Sequence, residues 1–399
     1  MRRSPARALA AALLLVLASA PAAASAPVDQ APPPAAVSAR YGDDCPQEGL
    51  GPELTAKLDQ AIERTRKEAG VPGVIVGLCL PGRGSYIRST GVADTATGRP
   101  MQTGLLMRIA SVTKTFTVTA ILELVDDGLV GLDDPISKYV AGVPDGGRIT
   151  LRQMAEMRSG LYPYTADPDF VQALVAGPER QFTPQELLAY AFRHPNTSGP
   201  GEKFQYSNTN TVLLGLVVEK VSGLSLADFI DKRVDGPAHL RRTLFPLAAE
   251  FPSPHAHGYT DLTPTGAKTD ATDWNPSWGW AAAAMISDLD DLRRWAQVLA
   301  TGTLLSPATQ AERLKMLPTG IPGNDYGLGI FDNHGWIGHN GSLPGYESVS
   351  VYLASDRATL VILINTDIHH EGSEPSTLIA KTITGIATPD NVYDIQPQD

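Results

Sequence analysis

Cysteine is nearly absent: Cys45 and Cys79 are the only two in 399 residues. That excludes a disulfide-built scaffold, although the two could pair once outside the reducing cytoplasm. Spacing alone leaves that open. Positive charge is also short, with 32 basic against 43 acidic residues and a net charge of -11. No basic block follows the N-terminal residues to neutralise phosphates, so a nucleic-acid partner is not expected. Long apolar runs are missing after the N-terminus. There, Arg2, Arg3 and Arg7 precede an apolar stretch from Leu9 to Leu17 and small residues from Ala20 to Ala26. This is the pattern of a secretory signal peptide over residues 1–26, not of a membrane span. A secreted, soluble protein without stable membrane insertion is expected, and a monomer.

What remains is an ordinary globular composition, 43% hydrophobic and 19% charged, in a chain long enough for two subdomains. Residues 27–44, rich in proline and alanine, read as a disordered leader. Residues 389–399 read as a tail. Between them, residues 45–388 read as the folded domain: an α/β part at about 45–125 and 285–388, and a helical part at about 126–284.

Glu53 to Ala69 carries an amphipathic helical pattern. Val74 to Leu80 and Tyr86 to Gly91 flank a P-G-R-G turn and predict a hairpin. Short helices are predicted at Asp133–Tyr139, Thr150–Met157, Thr183–Phe192, Thr209–Val221 and Leu226–Val234, with capping boxes at Thr150/Gln153 and Thr183/Glu186. Glu250 to Trp280, with four prolines and three of five tryptophans, is too long for a plain connector and suggests a pocket wall. A helix at Ser287–Ala300 precedes strands at Tyr326–Phe331, Tyr346–Ala354 and Ala358–Asn365, and Ser376–Ile386 closes the chain as a helix. The fold class is α+β: one antiparallel sheet from the hairpin and the last strands, flanked by helices, plus an all-helical subdomain.

The chemistry centres on M-R-I-A-S-V-T-K-T-F, starting at Met107. Ser111 and Lys114 are three residues apart, so on a helix an amine reaches a hydroxyl. A serine in the first turn of a buried helix also has free backbone N–H groups that favour a developing oxyanion. Downstream, Y-S-N places Tyr206 and Asn208 at a tight bend before a helix. Tyr206 could take the serine proton if an ammonium at Lys114 lowers its pKa. In G-H-N-G-S, His339 could hydrogen-bond or carry charge, and Gly341 would let a substrate approach the backbone. Taken singly, each string has a structural explanation: Ser111 a cap, Tyr206 a packing aromatic, Asn208 a helix cap, His339 a loop residue.

Together, S-x-x-K, Y-x-N and H-x-G in this order resemble the serine β-lactamase and penicillin-binding-protein superfamily. They resemble in particular its branch of class C β-lactamases, secreted actinobacterial D-alanyl-D-alanine carboxypeptidases and related esterases. L-E-L-V-D-D-G-L-V-G-L-D-D-P-I at Leu122, R-S-G-L at Arg158, D-Y-G-L-G-I and G-H-N-G-S-L-P-G-Y extend the match over Leu50 to Ile386. The resemblance implies a β-lactamase/transpeptidase-like fold and an acyl-enzyme mechanism without metal or cofactor. It implies Ser111 as nucleophile, Lys114 as its activator, Tyr206 as base and then acid, and Asn208 on the substrate amide. An H-x-G strand would bind the acyl chain, with the N–H groups of Ser111 and Ser342 as oxyanion hole. Tyr162, Tyr164, Trp278 and Trp280 are expected near the cleft, Trp278 and Tyr162 as substrate contacts.

A peptide or small acyl substrate follows, including a peptidoglycan stem peptide. Histidine at 339, where class C β-lactamases have the lysine of K-T-G, is found in carboxypeptidases and esterases. Ile330 to Trp336 lacks the arginine that holds a terminal carboxylate in close carboxypeptidase relatives. D-alanyl-D-alanine carboxypeptidase or a related D-peptidase is the first expectation. Esterase or amidase, β-lactamase, acyl transferase and a non-catalytic peptide-binding homologue are the alternatives.

Overall fold

The computed structural model describes residues 45–395; the expected signal peptide and leader lie outside them. Ten helices are labelled here: α1 Pro52–Glu68, α2 Thr113–Asp126, α3 Leu151–Ala155, α4 Pro168–Ala176, α5 Pro184–Phe192, α6 Asn208–Ser222, α7 Leu226–Ile230, α8 Leu289–Thr301, α9 Pro307–Arg313 and α10 Pro375–Ala387. The main sheet has nine strands: β1 Gly73–Leu80, β2 Gly84–Asp94, β3 Arg99–Pro100, β4 Leu317–Pro318, β5 Asn324–Tyr326, β6 Phe331–Asn333, β7 Trp336–Leu343, β8 Tyr346–Leu353 and β9 Ala358–Ile364. Their spatial order is β3-β2-β1-β9-β8-β7-β6-β5-β4, and every pairing is antiparallel. Closing Val74 against Ile364 joins the two ends of the chain in the middle of the sheet.

β1, β8 and β9 are buried along their whole length because helices cover both faces. Val74, Val76 and Leu78 pack with Leu58 and Ile62 of α1 and Ile379 and Ile383 of α10, while Ile75, Val361 and Leu363 join the cluster that contains α2 and α8. That second cluster runs on without a break into Leu151, Leu187, Leu213 and Phe229 of the helical region. The α/β and helical parts therefore share one core.

Local chemistry explains the element ends. α1 starts with proline at its first position and finishes with Arg66 and Lys67 near the negative end of its dipole. Both predicted capping boxes form. α8 is capped by Asp288, ends at Gly302 with φ 72°, and buries Leu289, Leu292, Trp295 and Leu299 on one side. Trp295 stacks on Phe116 at 4.1 Å and donates to Thr115 Oγ1 at 2.8 Å, fastening α8 to α2.

Several elements differ from expectation. The strand predicted at Tyr326–Phe331 is two, β5 and β6, folded back at Gly327–Gly329, where Gly329 takes φ 70°. β7 was not among the strands predicted from pattern, and its W-I-G-H-N-G-S-L lacks clean alternation; pairing with β8 makes it one. The helix at Asp133–Tyr139 shrinks to a 3-10 turn at Ile136–Lys138 after Pro135. α4 and α9 were not anticipated. In the expected tail, residues 391–395 pack against the body, with Tyr393 fully buried and Trp336 Nε1 donating to Asn391 O at 2.7 Å. Cys45 and Cys79 form a disulfide. No helix among the described residues is long and apolar enough to cross a membrane.

Candidate active site

Ser111 sits in a 3-10 turn, Ala110–Val112, that runs straight into α2. The turn is held from three sides. Ile109 N donates to Met285 O at 3.0 Å, Ser348 Oγ of β8 donates to Ile109 O at 2.8 Å, and β7 packs against the turn through Gly341. A Cβ on Gly341 would stand 2.6 Å from Ile109 O and 2.7 Å from Ser111 N, so only glycine lets the strand come this close. Ala110, just before the serine, takes φ 48°, a strained conformation for a residue with a Cβ.

α2 carries Lys114 into the core. Its Nζ lies 2.8 Å from Ser111 Oγ and donates to Ala282 O at 3.0 Å, and the residue is wholly buried. Thr117 Oγ1 donates to Ala281 O and Thr113 Oγ1 accepts from Met285 N, so α2 is stitched to the segment that supplies the lysine's acceptor. Burial holds Lys114 well below an ordinary lysine pKa, which favours the neutral amine.

Tyr206 reaches the same serine from the helical side. Its phenol hydrogen-bonds Ser111, and Lys114 Nζ stands 4.8 Å from its ring centre. Burial raises its pKa; the bond to Ser111 opposes that rise and the negative charge of Glu374 adds to it. From sequence, Lys114 could serve Tyr206 either as ammonium or as neutral amine; burial lowers the lysine and raises the tyrosine, shifting both toward their neutral forms. Asn208 opens α6 behind Ser207; its Nδ2 donates to Thr165 Oγ1 at 3.4 Å and its buried Oδ1 has no partner.

His339 is neutral. Burial takes it down to about 3, and positive charge at Lys114 adds to the fall. Nδ1 faces Asn340 O at 2.5 Å and Nε2 faces the Tyr326 hydroxyl at 3.1 Å, so Nδ1 carries the proton and Nε2 accepts. Of the two expectations for this histidine, hydrogen bonding is seen and a charged ring is not. Next on β7, Asn340 Nδ2 donates to Glu374 Oε2 at 3.0 Å, and Ser342 pairs with Glu347 on β8.

The structure brings Ser111, Lys114, Tyr206, His339 and Gly341 together. Tyr162 stacks its ring on His194 at 4.0 Å, its hydroxyl donates to Ala166 O, and its carbonyl accepts from Thr209 Oγ1, next to Asn208. Trp278 accepts the Tyr164 hydroxyl on its carbonyl and lines a small cavity with Arg108, Leu343 and Pro344, just past Ser342. Tyr164 is fully buried core, and Trp280 lies against Gly215. A groove of about 560 Å³ between α1 and the β1–β2 hairpin contains none of these residues. Sequence reasoning gave no role to Tyr326 or Glu374. Tyr326 was visible inside D-Y-G-L-G, whereas nothing local marks Glu374.

The family model described as Beta-lactamase matches residues 58–382, more than half of the chain. The chain belongs to the beta-lactamase family. Among solved structures, this family member is similar to a D-stereospecific amidohydrolase from Streptomyces, at 31% identity over 78% of this chain and 94% of that one with TM-score 0.72. It is also similar to a D-amino acid amidase from Ochrobactrum anthropi, at 26% identity over 84% and 99% with TM-score 0.75. In sequence it matches penicillin-binding protein 4* of Bacillus subtilis, 28% identical over 71% of this chain, and a D-aminopeptidase of Cereibacter sphaeroides, 26% identical over 81%. It spans 65% and 62% of the length of those two proteins. The fold and the hydrolase character of this beta-lactamase superfamily member rest on these matches.

Proposed function

We propose that the protein is an exported serine hydrolase that cleaves the acyl bond of D-aminoacyl amides or short D-peptides through an acyl-enzyme. The carrying observation is the buried Lys114 amine 2.8 Å from Ser111 Oγ, its pKa lowered by desolvation. In this reading the serine proton passes to Lys114 Nζ as the Oγ–carbon bond forms, and the N–H groups of Ser111 and Ser342 hold the oxyanion. The carbon–nitrogen bond then breaks as Tyr206 gives its proton to the departing nitrogen; the Lys114 ammonium restores it. Water repeats the sequence on the ester. The D-amino-acid substrate class draws support from the amidohydrolase, amidase and aminopeptidase relatives.

Within the superfamily, we assign the chain to the class C-like branch and rank strict D-alanyl-D-alanine carboxypeptidase second. A terminal carboxylate needs a cation, yet Arg158 donates to Pro318 O and Ile330–Trp336 has no arginine. Export through residues 1–26 is supported by the Cys45–Cys79 disulfide. The test is ammonia release from D- and L-alanine amide. Release from the D-amide, abolished in Ser111→Ala, is expected; no release from either enantiomer would overturn the amidase reading.

A further inference from the structure

We infer that the small cavity beside Arg108 is a binding site for a monatomic anion, with chloride as its ligand, and that the bound ion braces the two chain segments that supply the proposed oxyanion hole. The site itself stands on geometry; its effect on rate rests on the proposed function. Arg108, three residues before Ser111, is 2% exposed. Its guanidinium lies over the Phe251 ring at 4.7 Å, and Nη2 reaches the carbonyls of Ala249, Thr272 and Trp274 at 3.4 Å each. Nε and Nη1 have no partner among the described residues. No carboxylate among those residues pairs with the guanidinium. The Glu250 oxygens accept from Leu247 N and Ala248 N, and Glu250 and Asp273 act on Arg108 only from a distance. A guanidinium buried without a counter-ion is unfavourable, and an anion beside it relieves that.

The cavity is lined by Arg108 with Ala271, Trp274, Pro276, Trp278, Leu343 and Pro344. These side chains offer donors and apolar surface but no acceptor, since an indole can donate and cannot accept. A cation finds no side-chain ligand there, and a water finds no side-chain acceptor for its own hydrogens. An anion matches both the charge and the donors. The space open to the centre of a water-sized sphere is about 10 Å³, room for one monatomic ion and too little for a planar carboxylate.

The position links the site to catalysis. Arg108 precedes Ile109, whose N and O fix the nucleophile turn, and Leu343 follows Ser342 on β7. Gly341 and Leu343 are two apart on one strand and face the same side, so the cavity lies on the side of β7 that meets Ser111. An ion held here contacts the segment just before Ser111 and the one just after Ser342.

The experiment soaks crystals of the protein in sodium bromide and maps the anomalous bromine signal. A peak beside the Arg108 guanidinium is expected; no peak in this cavity would overturn the site. In solution, exchanging sodium gluconate for sodium chloride at equal ionic strength is expected to raise the melting temperature by about 2–4 °C, and sodium acetate to give no such rise. An equal rise in acetate would overturn the monatomic assignment in favour of a carboxylate subsite. Arg108→Met should lose the chloride response, and a response unchanged in that variant would overturn the role of Arg108. The bromide map and the wild-type melts decide the site even where Arg108→Met does not fold, and they need no turnover, so failure of the proposed hydrolysis is read separately. For D-alanine amide, kcat should rise severalfold in chloride; a melting shift with unchanged kcat would overturn the bracing of the oxyanion hole.

Discussion

Gly341 and Lys114 show how little freedom the site residues have. Adding one methyl at Gly341 would press on Ser111 N, an N–H proposed to hold the oxyanion. Gly341→Ala is expected to lower kcat by about 10²–10³-fold, the usual cost of losing one such donor, with a much smaller change in melting temperature. Steady-state kinetics beside a thermal melt separates the two. Lys114 makes a different prediction. Its folded-state pKa is depressed, so the amine is neutral above that pKa and charged below it. Activity should rise with pH through the depressed value, a limb well below the ordinary lysine range; a kcat/KM profile checks it. The strings around Ser111, Tyr206 and His339 were legible because each is local. The lowered pKa values of Lys114 and His339 were not, since burial sets them and no short motif records burial. The Asn340–Glu374 bond was illegible for a related reason: its two residues are 34 apart in sequence.

At the scale of elements, helices with strong caps and one apolar side could be read directly. α8 and the Thr150 and Thr183 caps fall where periodicity and the capping box put them. β7 could not, because its two glycines and central histidine serve contacts to the nucleophile turn and Tyr326, not a hydrophobic alternation. The β5–β6 fold-back was missed for the same reason. A Cβ at Gly329 would stand 2.6 Å from Val118, so the glycine there records a close approach to α2, not a strand interior. Trp295 tests how α8 positions α2. Trp295→Ala removes the stack on Phe116 and the donor to Thr115, and should cost about 3–5 kcal/mol, read by chemical denaturation. Because α2 carries both Ser111 and Lys114, activity should fall before the protein unfolds.

For the molecule as a whole, stability depends on carboxyls buried between the sheet and its loops. Asp367 accepts from Gly345 N at 2.9 Å and Thr260 Oγ1 at 3.1 Å, yet burial raises it from 3.8 to about 6. A carboxyl with a raised folded-state pKa binds its proton more tightly in the native state. Its contribution is therefore complete below about pH 4 and is lost as pH rises to 6, by roughly 3 kcal/mol for a shift of this size. Asp367→Asn should flatten that part of the pH–stability curve and raise the melting temperature at pH 7. The two-part layout was legible in the sequence, because helix-rich and strand-rich stretches alternate along the chain. The shared core was not, since it depends on contacts between residues far apart in sequence. The packed residues past α10 have a further consequence. Tyr393 is fully buried, and Trp336 at the start of β7 donates to Asn391 O. Trimming after residue 388, or fusing a partner there, would open the core beside the strand that props up the nucleophile turn, so an edit far from Ser111 in sequence would loosen the site through its scaffold.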